Sequence, residues 1–284
     1  YFYDKVMDQN GTVSDKGTLN DEIPYGDKAP EKKEFNGVNY MLESIDITSS
    51  NGKITAEEAS NVVKIYYTKD ADGPNETSDG TPDKWQICIT YKAGANGQVT
   101  GTTTEFHNVK TFELNDDKTI KEGSVKDTPA TPGAAVTATP NPGYEFVEWT
   151  STGLGGQPES YKETGDIQAL EVSVNKEFTA NFTARTDLPY EIHYFYDETE
   201  DETSAVNNGK GTLNDSIPYT ADRTKEHNGE NYMLESIVAP SNGIITPNET
   251  DNVVNIYYTK DADGPDETAD GTPDKYQIRI TYKA

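Results

Sequence analysis

The chain has 284 residues and a formal net charge of −26 at pH 7, and only 32% of its residues are hydrophobic. That length predicts two or three domains. So negative a chain repels phosphate backbones and anionic lipid, which argues against nucleic acid and membrane surfaces as partners. No apolar run approaches the roughly 18 residues that span a bilayer, so we expect no membrane insertion. Cations, or a basic patch on another protein, suit this charge better.

Strand signals recur along the chain and are separated by Gly, Pro and Asn turns. In chain order they are "YFYD", "NYMLESIDI", "NVVKIYYT", "KWQICITYKA", "GQVTGTTTEF", "AAVTATPNPGYEFVEWT" and "EVSVNKEFTANFT", followed by a second copy of the first three. These segments are rich in β-branched and aromatic residues, and the rest of the sequence offers little helix. The sequence therefore predicts a mostly β protein made of small tandem modules.

The chain contains an internal repeat, in which residues 1–93 match residues 194–284. The last 33 positions of the two copies differ at only five. Length changes between the copies fall at turns, where insertions are tolerated. Because the internal copy enters its first strand from Tyr190, we expect the sequence to be a piece of a longer chain.

The middle of the chain, 94–185, is unlike either copy, and the alternating strand 84–93 runs directly into it. We therefore assign that strand to the middle block, which makes its counterpart the orphan first strand of a further block. The predicted map is a first module at 1–69, an acidic linker at 70–83, the middle block at 84–185, a second module at 190–260, an acidic linker at 261–274 and the orphan strand at 275–284. An unpaired apolar strand tends to find a sheet edge, so we expect disorder there or pairing with another molecule.

Three motifs of the middle block carry a family resemblance: "GQVTG" at 97–101, "VTATPNPGYEFVEW" at 136–149 and "FTANF" at 178–182. Together they resemble the divergent internalin B-type repeat of bacterial surface proteins. The resemblance implies that Gly143 permits a turn and that Tyr144, Phe146 and Trp149 form a small core.

The outer modules resemble mucin-binding-protein (MucBP-type) repeats. The residues concerned are "IHYFYD", "GTLNDSIPYT" and "NVVNIYYTKD" in the second copy. The two resemblances imply tandem β-grasp-like modules in an elongated rod. They also imply a Gram-positive cell-surface protein, secreted or anchored to the cell wall and therefore extracellular. Neither family is enzymatic.

The residue chemistry also argues against an enzyme. The lone Cys88 is matched by Arg279 in the other copy, which excludes a disulfide framework and argues against a catalytic thiol. Glu34 or Phe35 stands in the first copy where His227 stands in the second, and a catalytic residue that one repeat omits is improbable. The sequence contains no Gly-rich phosphate loop and no zinc or nucleophile-elbow motif.

An acidic loop occurs twice, as "KDADGPNETSDGTPDKW" at 69–85 and "KDADGPDETADGTPDKY" at 260–276. Calcium prefers six to eight oxygen ligands from a flexible turn, and these loops are rich in carboxylates. The candidate calcium ligands are Asp70, Asp72, Asp79 and Asp83 in the first loop and Asp261, Asp263, Asp270 and Asp274 in the second. The alternative is a plain linker that Pro74 and Pro82 stiffen and like charges extend.

These observations leave two functional hypotheses. The first is an adhesin module that binds a host glycoprotein or another extracellular protein; the second is a passive stalk that projects a distal binding head. The abundant tyrosines either form a binding face, since tyrosine supplies rigid amphipathic area, or pack inside the sheets. An adhesin should expose a cluster of aromatic side chains on one module, whereas a stalk should be uniformly polar. We expect the chain to be monomeric.

Overall fold

The computed structural model describes residues 1–71, 78–152, 158–261, 271–278 and 280–283. This part of the chain is mostly β and forms several small sheets, which confirms the predicted fold class. The strands are β1 Phe2–Tyr3, β2 Val6–Met7, β3 Lys32–Phe35, β4 Val38–Asp46, β5 Lys64–Lys69, β6 Gln86–Ala93, β7 Gly97–Gly101, β8 Thr104–Asn108, β9 Lys110–Thr111, β10 Lys126–Asp127, β11 Val136–Pro140, β12 Tyr144–Thr152, β13 Pro158–Tyr161, β14 Lys176–Ala184, β15 Leu188–Tyr196, β16 Thr199–Glu200, β17 Val206–Gly211, β18 Thr224–His227, β19 Glu230–Val238 and β20 Val253–Lys260.

Helical structure is short. The α-helix α1 is Thr164–Gln168. Single 3-10 turns lie at Gly26–Lys28, Glu58–Ser60, Asp83–Trp85, Glu249–Asp251 and Asp274–Tyr276. Within the described ranges, no helix has the length and apolar character needed to cross a membrane.

The chain forms two compact units. The first consists of Tyr1–Ala93, Val99–Thr137 and Glu148–Ala180, and the second of Gly94–Gln98, Ala138–Val147 and Asn181–Ala284. The first unit therefore contains the first repeat copy together with most of the middle block. The second unit contains the second copy.

The first repeat copy forms a mixed five-stranded sheet in the order β2-β1-β5-β4-β3. Its first and last strands, β1 and β5, are parallel neighbours, with Phe2 opposite Tyr66. The hairpin between β3 and β4 turns at Asn36 and Gly37, whose φ angles are 52° and 78°. Positive φ at both central residues is the conformation that Asn-Gly hairpin turns adopt. The core consists of Tyr3, Leu42, Ile65 and Tyr67.

The second repeat copy forms the same sheet, in the order β16-β15-β20-β19-β18, and β17 adds to it by pairing with β15. Here too the first and last strands, β15 and β20, are parallel. The strand β15 is nine residues long and β1 has two. The core of the second copy consists of Leu188, Ile192, Tyr194, Tyr196, Leu213, Ile217, Ile245, Val254, Ile256 and Tyr258.

The middle block is built on a sheet in the order β13-β12-β14-β6-β8. The strand β6 lies inside this sheet, parallel to β14 on one side and antiparallel to β8 on the other. Its alternate residues Ile87, Ile89 and Tyr91 are buried. A strand paired on both sides satisfies its backbone groups within the sheet, so β6 is an integral part of the middle block.

Candidate functional site

The acidic loop after β5 begins with a buried carboxylate. Asp70 is fully buried, and its Oδ1 accepts the backbone N–H groups of Asp79 and Gly80 at 3.1 Å each. The Ser78 hydroxyl donates to Oδ2 of the same side chain. Burial raises the pKa of Asp70, although these hydrogen bonds oppose that effect. Asp70 therefore ties the first residue of the loop to residues eight to ten positions later.

The other described acids of this loop also accept hydrogen bonds from N–H groups. Asp83 Oδ1 accepts the backbone N–H of Ala71 at 2.7 Å, and Asp83 Oδ2 lies 3.3 Å from Lys69 Nζ. Asp79 Oδ2 accepts from Nε2 of Gln86, the first residue of β6, at 3.2 Å. The carboxylates thus connect the end of β5, the far side of the loop and the beginning of β6.

The second acidic loop repeats part of this arrangement. Asp261 is also fully buried, and its Oδ2 accepts the backbone N–H of Gly271 at 3.1 Å. In the first loop, Gly80 donates to Oδ2 of Asp70 at 3.2 Å. The buried acid and its glycine donor are therefore a property of the repeat.

Of the predicted calcium ligands, the structure describes Asp70, Asp79, Asp83, Asp261 and Asp274, whereas Asp72, Asp263 and Asp270 lie outside the described residues. Within the described ranges, no three Asp, Glu, His or Cys side chains gather in a way that would hold a metal ion. N–H and O–H groups point their positive ends at Asp70, which is the environment of a carboxylate bonded within the protein. Calcium binding by these loops, and the plain linker as its alternative, stay predictions.

Thermal melting in about 1 mM calcium tests that prediction. Sites in extracellular modules often bind at ~10⁻⁴–10⁻³ M, so one such site would stabilise its module by about 0.4–1.4 kcal/mol. Magnesium at equal ionic strength and a chelator are the controls. Identical melting curves in all three solutions would leave both acidic loops as linkers.

A salt bridge connects each repeat copy to the residues that follow its acidic loop. Lys84, in the 3-10 turn that precedes β6, pairs with Glu43 of β4. The backbone carbonyl of Glu43 also accepts the N–H of Ile120 from the middle block at 3.0 Å. In the second copy Lys275 pairs with Glu235 in the same way.

The tyrosines of the first copy pack inside its sheet. Tyr3 stacks on Phe35 with ring centroids 4.0 Å apart, and Tyr67 donates its hydroxyl to the carbonyl of Pro30 at 2.9 Å. Lys33 Nζ lies 3.3 Å from the centroid of the Tyr1 ring. The sequence left open whether the tyrosines form a binding face or pack inside the sheets, and on this face of the sheet they pack.

The second copy places a histidine in the same stack. The ring of His227 lies on Tyr196 with centroids 3.8 Å apart and planes within 5° of parallel. His227 thus occupies the position of Phe35, which decides between the two residues that the sequence left open. Its ring contributes to packing in a place where the first copy uses a hydrocarbon ring.

Burial and hydrogen bonding act in opposite directions on His193. Burial of the imidazole lowers its pKa, but Glu200 at 2.6 Å from Nδ1 and Glu191 at 3.2 Å from Nε2 together outweigh burial. The pKa of His193 is therefore raised above its usual 6.5. Both ring nitrogens are engaged by carboxylates of the same module.

We expect the second module to lose stability as the pH rises past this pKa. A raised pKa in the folded state means that the ion pairs stabilise fully below about pH 6.5 and are lost as the pH rises through the folded pKa. Because the groups are partly exposed, the change should be about 1 kcal/mol or less. Urea denaturation between pH 6 and 8.5 measures it, and H193Q should flatten the profile. An NMR titration giving His193 a pKa at or below 6.5 would contradict the expectation.

The middle block buries one of its motif aromatics completely. Trp149 is 0% exposed, packs edge-to-face with Tyr91 and donates its Nε1–H to the Thr164 hydroxyl at 3.2 Å. Phe178 stacks on Tyr91 with centroids 5.6 Å apart. The predicted role of Trp149 in a small core is confirmed.

The other two motif aromatics do not share that position. Tyr144 packs against the core of the second repeat copy, and Phe146 contacts Phe182 at a centroid distance of 6.0 Å. The prediction of one core from all three residues was wrong for Tyr144.

Comparison with known families bears on the same block. Residues 118–186 match the divergent InlB B-repeat domain. The matched range contains the motifs at 136–149 and 178–182 and leaves out the one at 97–101. This repeat is typical of bacterial surface proteins, and the match is compatible with either an adhesin or a spacer. The MucBP-type resemblance of the outer modules stays a prediction. No curated protein and no solved structure matches the chain.

Proposed function

We propose that the chain is a non-enzymatic spacer segment of a secreted or wall-anchored bacterial surface protein, in which repeated modules hold a binding head away from the cell. The observation that carries this proposal is the closure of the first acidic loop. The buried side chain of Asp70, at the start of the loop, accepts hydrogen bonds from backbone N–H groups near its end. The match of the middle block to a surface-protein repeat supports the setting.

A spacer requires that one module fix the direction of the next. Asp70 holds the far side of the loop against the end of β5, and the Lys84–Glu43 pair holds the turn before β6 against β4. Each bond removes conformations that a free linker would populate. The same residues recur in the second copy as Asp261 and the Lys275–Glu235 pair.

The aromatic residues also support the spacer over the adhesin. The described aromatics whose side chains are largely exposed are Phe106 and, after the second acidic loop, Tyr276 and Tyr282. The tyrosines nearest the module cores stack on one another instead. The described aromatic side chains therefore form no exposed cluster on one module, which favours a stalk over an adhesin.

Binding of a host glycoprotein or other extracellular protein is the second candidate. It is favoured by an aromatic pair that each copy repeats on the half-buried side of its parallel strands. Phe2 stacks on Tyr66 and Phe195 on Tyr257, each with centroids 4.8 Å apart. A glycan array and a mucin pull-down with the full chain test this candidate. F195S/Y257S together with F2S/Y66S should abolish any signal that depends on these faces.

The spacer proposal is tested by measuring a distance distribution across the acidic loop. Spin labels at E34C and T104C, both exposed in the first unit, are placed in a C88S background. We expect a narrow distribution, which D70N should broaden because its amide N–H₂ faces the loop N–H donors. The exposed substitution D27N is the matched control. A broad distribution in the unsubstituted chain, or an unchanged one in D70N, would refute a loop that fixes module direction.

A further inference from the structure

The chain contains seven Asn-Gly pairs, and only Asn228–Gly229 directly follows a histidine. In such a pair the backbone nitrogen of the glycine can approach the carbonyl carbon of the asparagine side chain, because glycine has no Cβ in the way. Bond formation between these atoms expels ammonia and leaves a succinimide ring, which water opens to aspartate or isoaspartate. The surroundings of each amide decide how fast its pair reacts.

The pair at 228–229 forms the turn between β18 and β19. The strand ladder closes with His227 opposite Glu230, so the two turn residues lie outside it. Both turn residues have positive φ, 52° at Asn228 and 81° at Gly229, and both are exposed. Solvent therefore reaches the Gly229 nitrogen and the Asn228 amide.

The amide of Asn228 contacts the imidazole of the preceding residue. Asn228 Nδ2 lies 2.9 Å from His227 Nε2. The imidazole is held by its stack on Tyr196, with centroids 3.8 Å apart, and by the Tyr232 ring at 6.1 Å. A carboxylate oxygen of Asp201 lies 3.7 Å from the other ring nitrogen, Nδ1. The nitrogen that must leave as ammonia is thus within hydrogen-bonding distance of a group that can supply a proton.

We propose that Asn228 is a self-modifying site, at which the His227 imidazolium promotes conversion of the asparagine to aspartate or isoaspartate. Hydroxide removes the proton of the Gly229 nitrogen, which then forms a bond to Asn228 Cγ. The bond between Cγ and Nδ2 breaks, and Nδ2 leaves as ammonia with the proton from His227 Nε2. Water reprotonates the imidazole, and a second water molecule opens the succinimide. An amide nitrogen accepts a proton only after Cγ has become tetrahedral, so His227 acts at the step in which ammonia leaves.

The first repeat copy contains the same turn without the histidine. Asn36 and Gly37 have φ angles of 52° and 78°, and both are exposed. Phe35 stands where the second copy has His227, and its hydrocarbon ring has no proton to donate. The two turns therefore share their backbone geometry and differ in the group that the proposal requires.

The modification would change the second module at one edge. It adds a negative charge to a turn that Glu226 and Glu230 already flank. Isoaspartate also lengthens the backbone by a methylene group in a turn whose length fixes the strand register. The strand affected, β18, is the last in its sheet. Neither a spacer nor a binding protein requires this reaction, so its failure would leave the proposed function untouched.

Peptide mass spectrometry of the full chain, incubated at pH 6, measures conversion at each Asn-Gly pair. We expect Asn228 to convert at least about 10-fold faster than Asn36, since a positioned proton donor contributes ~10²–10⁴-fold. H227F should lower the rate at Asn228 to that at Asn36. Asn242, in another positive-φ turn of the same module, should keep its rate, which controls for unfolding. Equal rates at Asn228 and Asn36 in the unsubstituted chain would refute the proposal.

The reciprocal substitution does not depend on how well H227F folds. F35H places an imidazole before Asn36, and Asp8 occupies the repeat position of Asp201. We expect conversion at Asn36 to become about 10-fold faster or more, with the rate at Asn51 unchanged.

A pH series on the unsubstituted chain separates proton donation from packing. The ratio of the rates at Asn228 and Asn36 should fall as the pH rises from 6 to 8.5, because histidine loses its proton over this range. A ratio that does not change with pH, or an F35H variant in which Asn36 converts no faster, would show that the imidazole only packs in this turn.

Discussion

Replacing Asn252 by alanine should destabilise the second module by about 3–5 kcal/mol, since several buried polar groups lose their partners at about 1–3 kcal/mol each. Asn252 is 0% exposed, and its Oδ1 accepts the backbone N–H of Thr246 at 2.8 Å. Its Nδ2 donates to the carbonyls of Thr246 and Pro189 at 2.9 Å and 3.1 Å. Alanine satisfies none of these groups.

Urea denaturation followed by hydrogen exchange assigns the loss to the second module. N61A in the first copy is the matched comparison, because Asn61 makes the same two backbone bonds with Thr55 but is only half-buried. Its effect should be smaller, at about 1–3 kcal/mol. The exposed residue of the same turn, Asn248, should tolerate alanine within about 1 kcal/mol. Equal small effects at all three positions would contradict the structural role of the buried amide.

Replacing Trp149 by alanine should cost the middle block about 3–5 kcal/mol of unfolding free energy, the range for a large aromatic residue in a closed core. Trp149 packs edge-to-face with Tyr91 at a centroid distance of 6.0 Å. The cavity left by alanine would lie directly beside that ring. W149F keeps an aromatic ring and loses the hydrogen bond to Thr164, so we expect a smaller loss of about 1–3 kcal/mol.

Fluorescence of the remaining Trp85, which lies 5.1 Å from the Phe112 ring, reports unfolding of the same unit in these variants. The partly exposed Val147 of the same strand provides the control, and V147A should change stability by less than about 1 kcal/mol. A W149A variant as stable as V147A would show that Trp149 is not the centre of this core.

Local chemistry explains why so much of the fold could be predicted from the sequence. The strands follow β-branched and aromatic runs, and the Asn36–Gly37 turn follows from the ease with which these two residues adopt positive φ. The internal repeat then required both copies to form the same sheet. The motif at 136–149 identified the middle block, whose matched range includes it.

The candidate site was harder to predict because it depends on neighbours distant in the sequence. An aspartate-rich loop has the same composition whether its carboxylates bind calcium or accept the loop's own N–H groups. Whether the Asp70 carboxylate is solvated by water or hydrogen-bonded within the protein depends on its burial, and only the fold determines that burial. The core that Tyr144 of the middle block packs against is likewise contributed by the second repeat copy.

The buried asparagine was missed, although the sequence contained a signal for it. "TAEEASN" and "TPNETDN" keep a threonine and an asparagine six residues apart while most positions between them change. That spacing is the hydrogen-bonded pair seen at Thr55 and Asn61 and at Thr246 and Asn252. A repeat thus provides a comparison within one chain, in which unchanged polar residues among changed ones indicate a structural bond.

The parallel pairing of first and last strands has a mechanical consequence. In the first copy β1 lies beside β5, in the middle block β6 beside β14, and in the second copy β15 beside β20. A chain that enters along one strand and leaves along its parallel neighbour transmits tension from end to end of that pair. Pulling then shears the pair's hydrogen bonds collectively, whereas in a hairpin the same tension would unzip them one at a time. Tension along the polypeptide therefore loads each module in shear, the direction in which it resists unfolding more strongly.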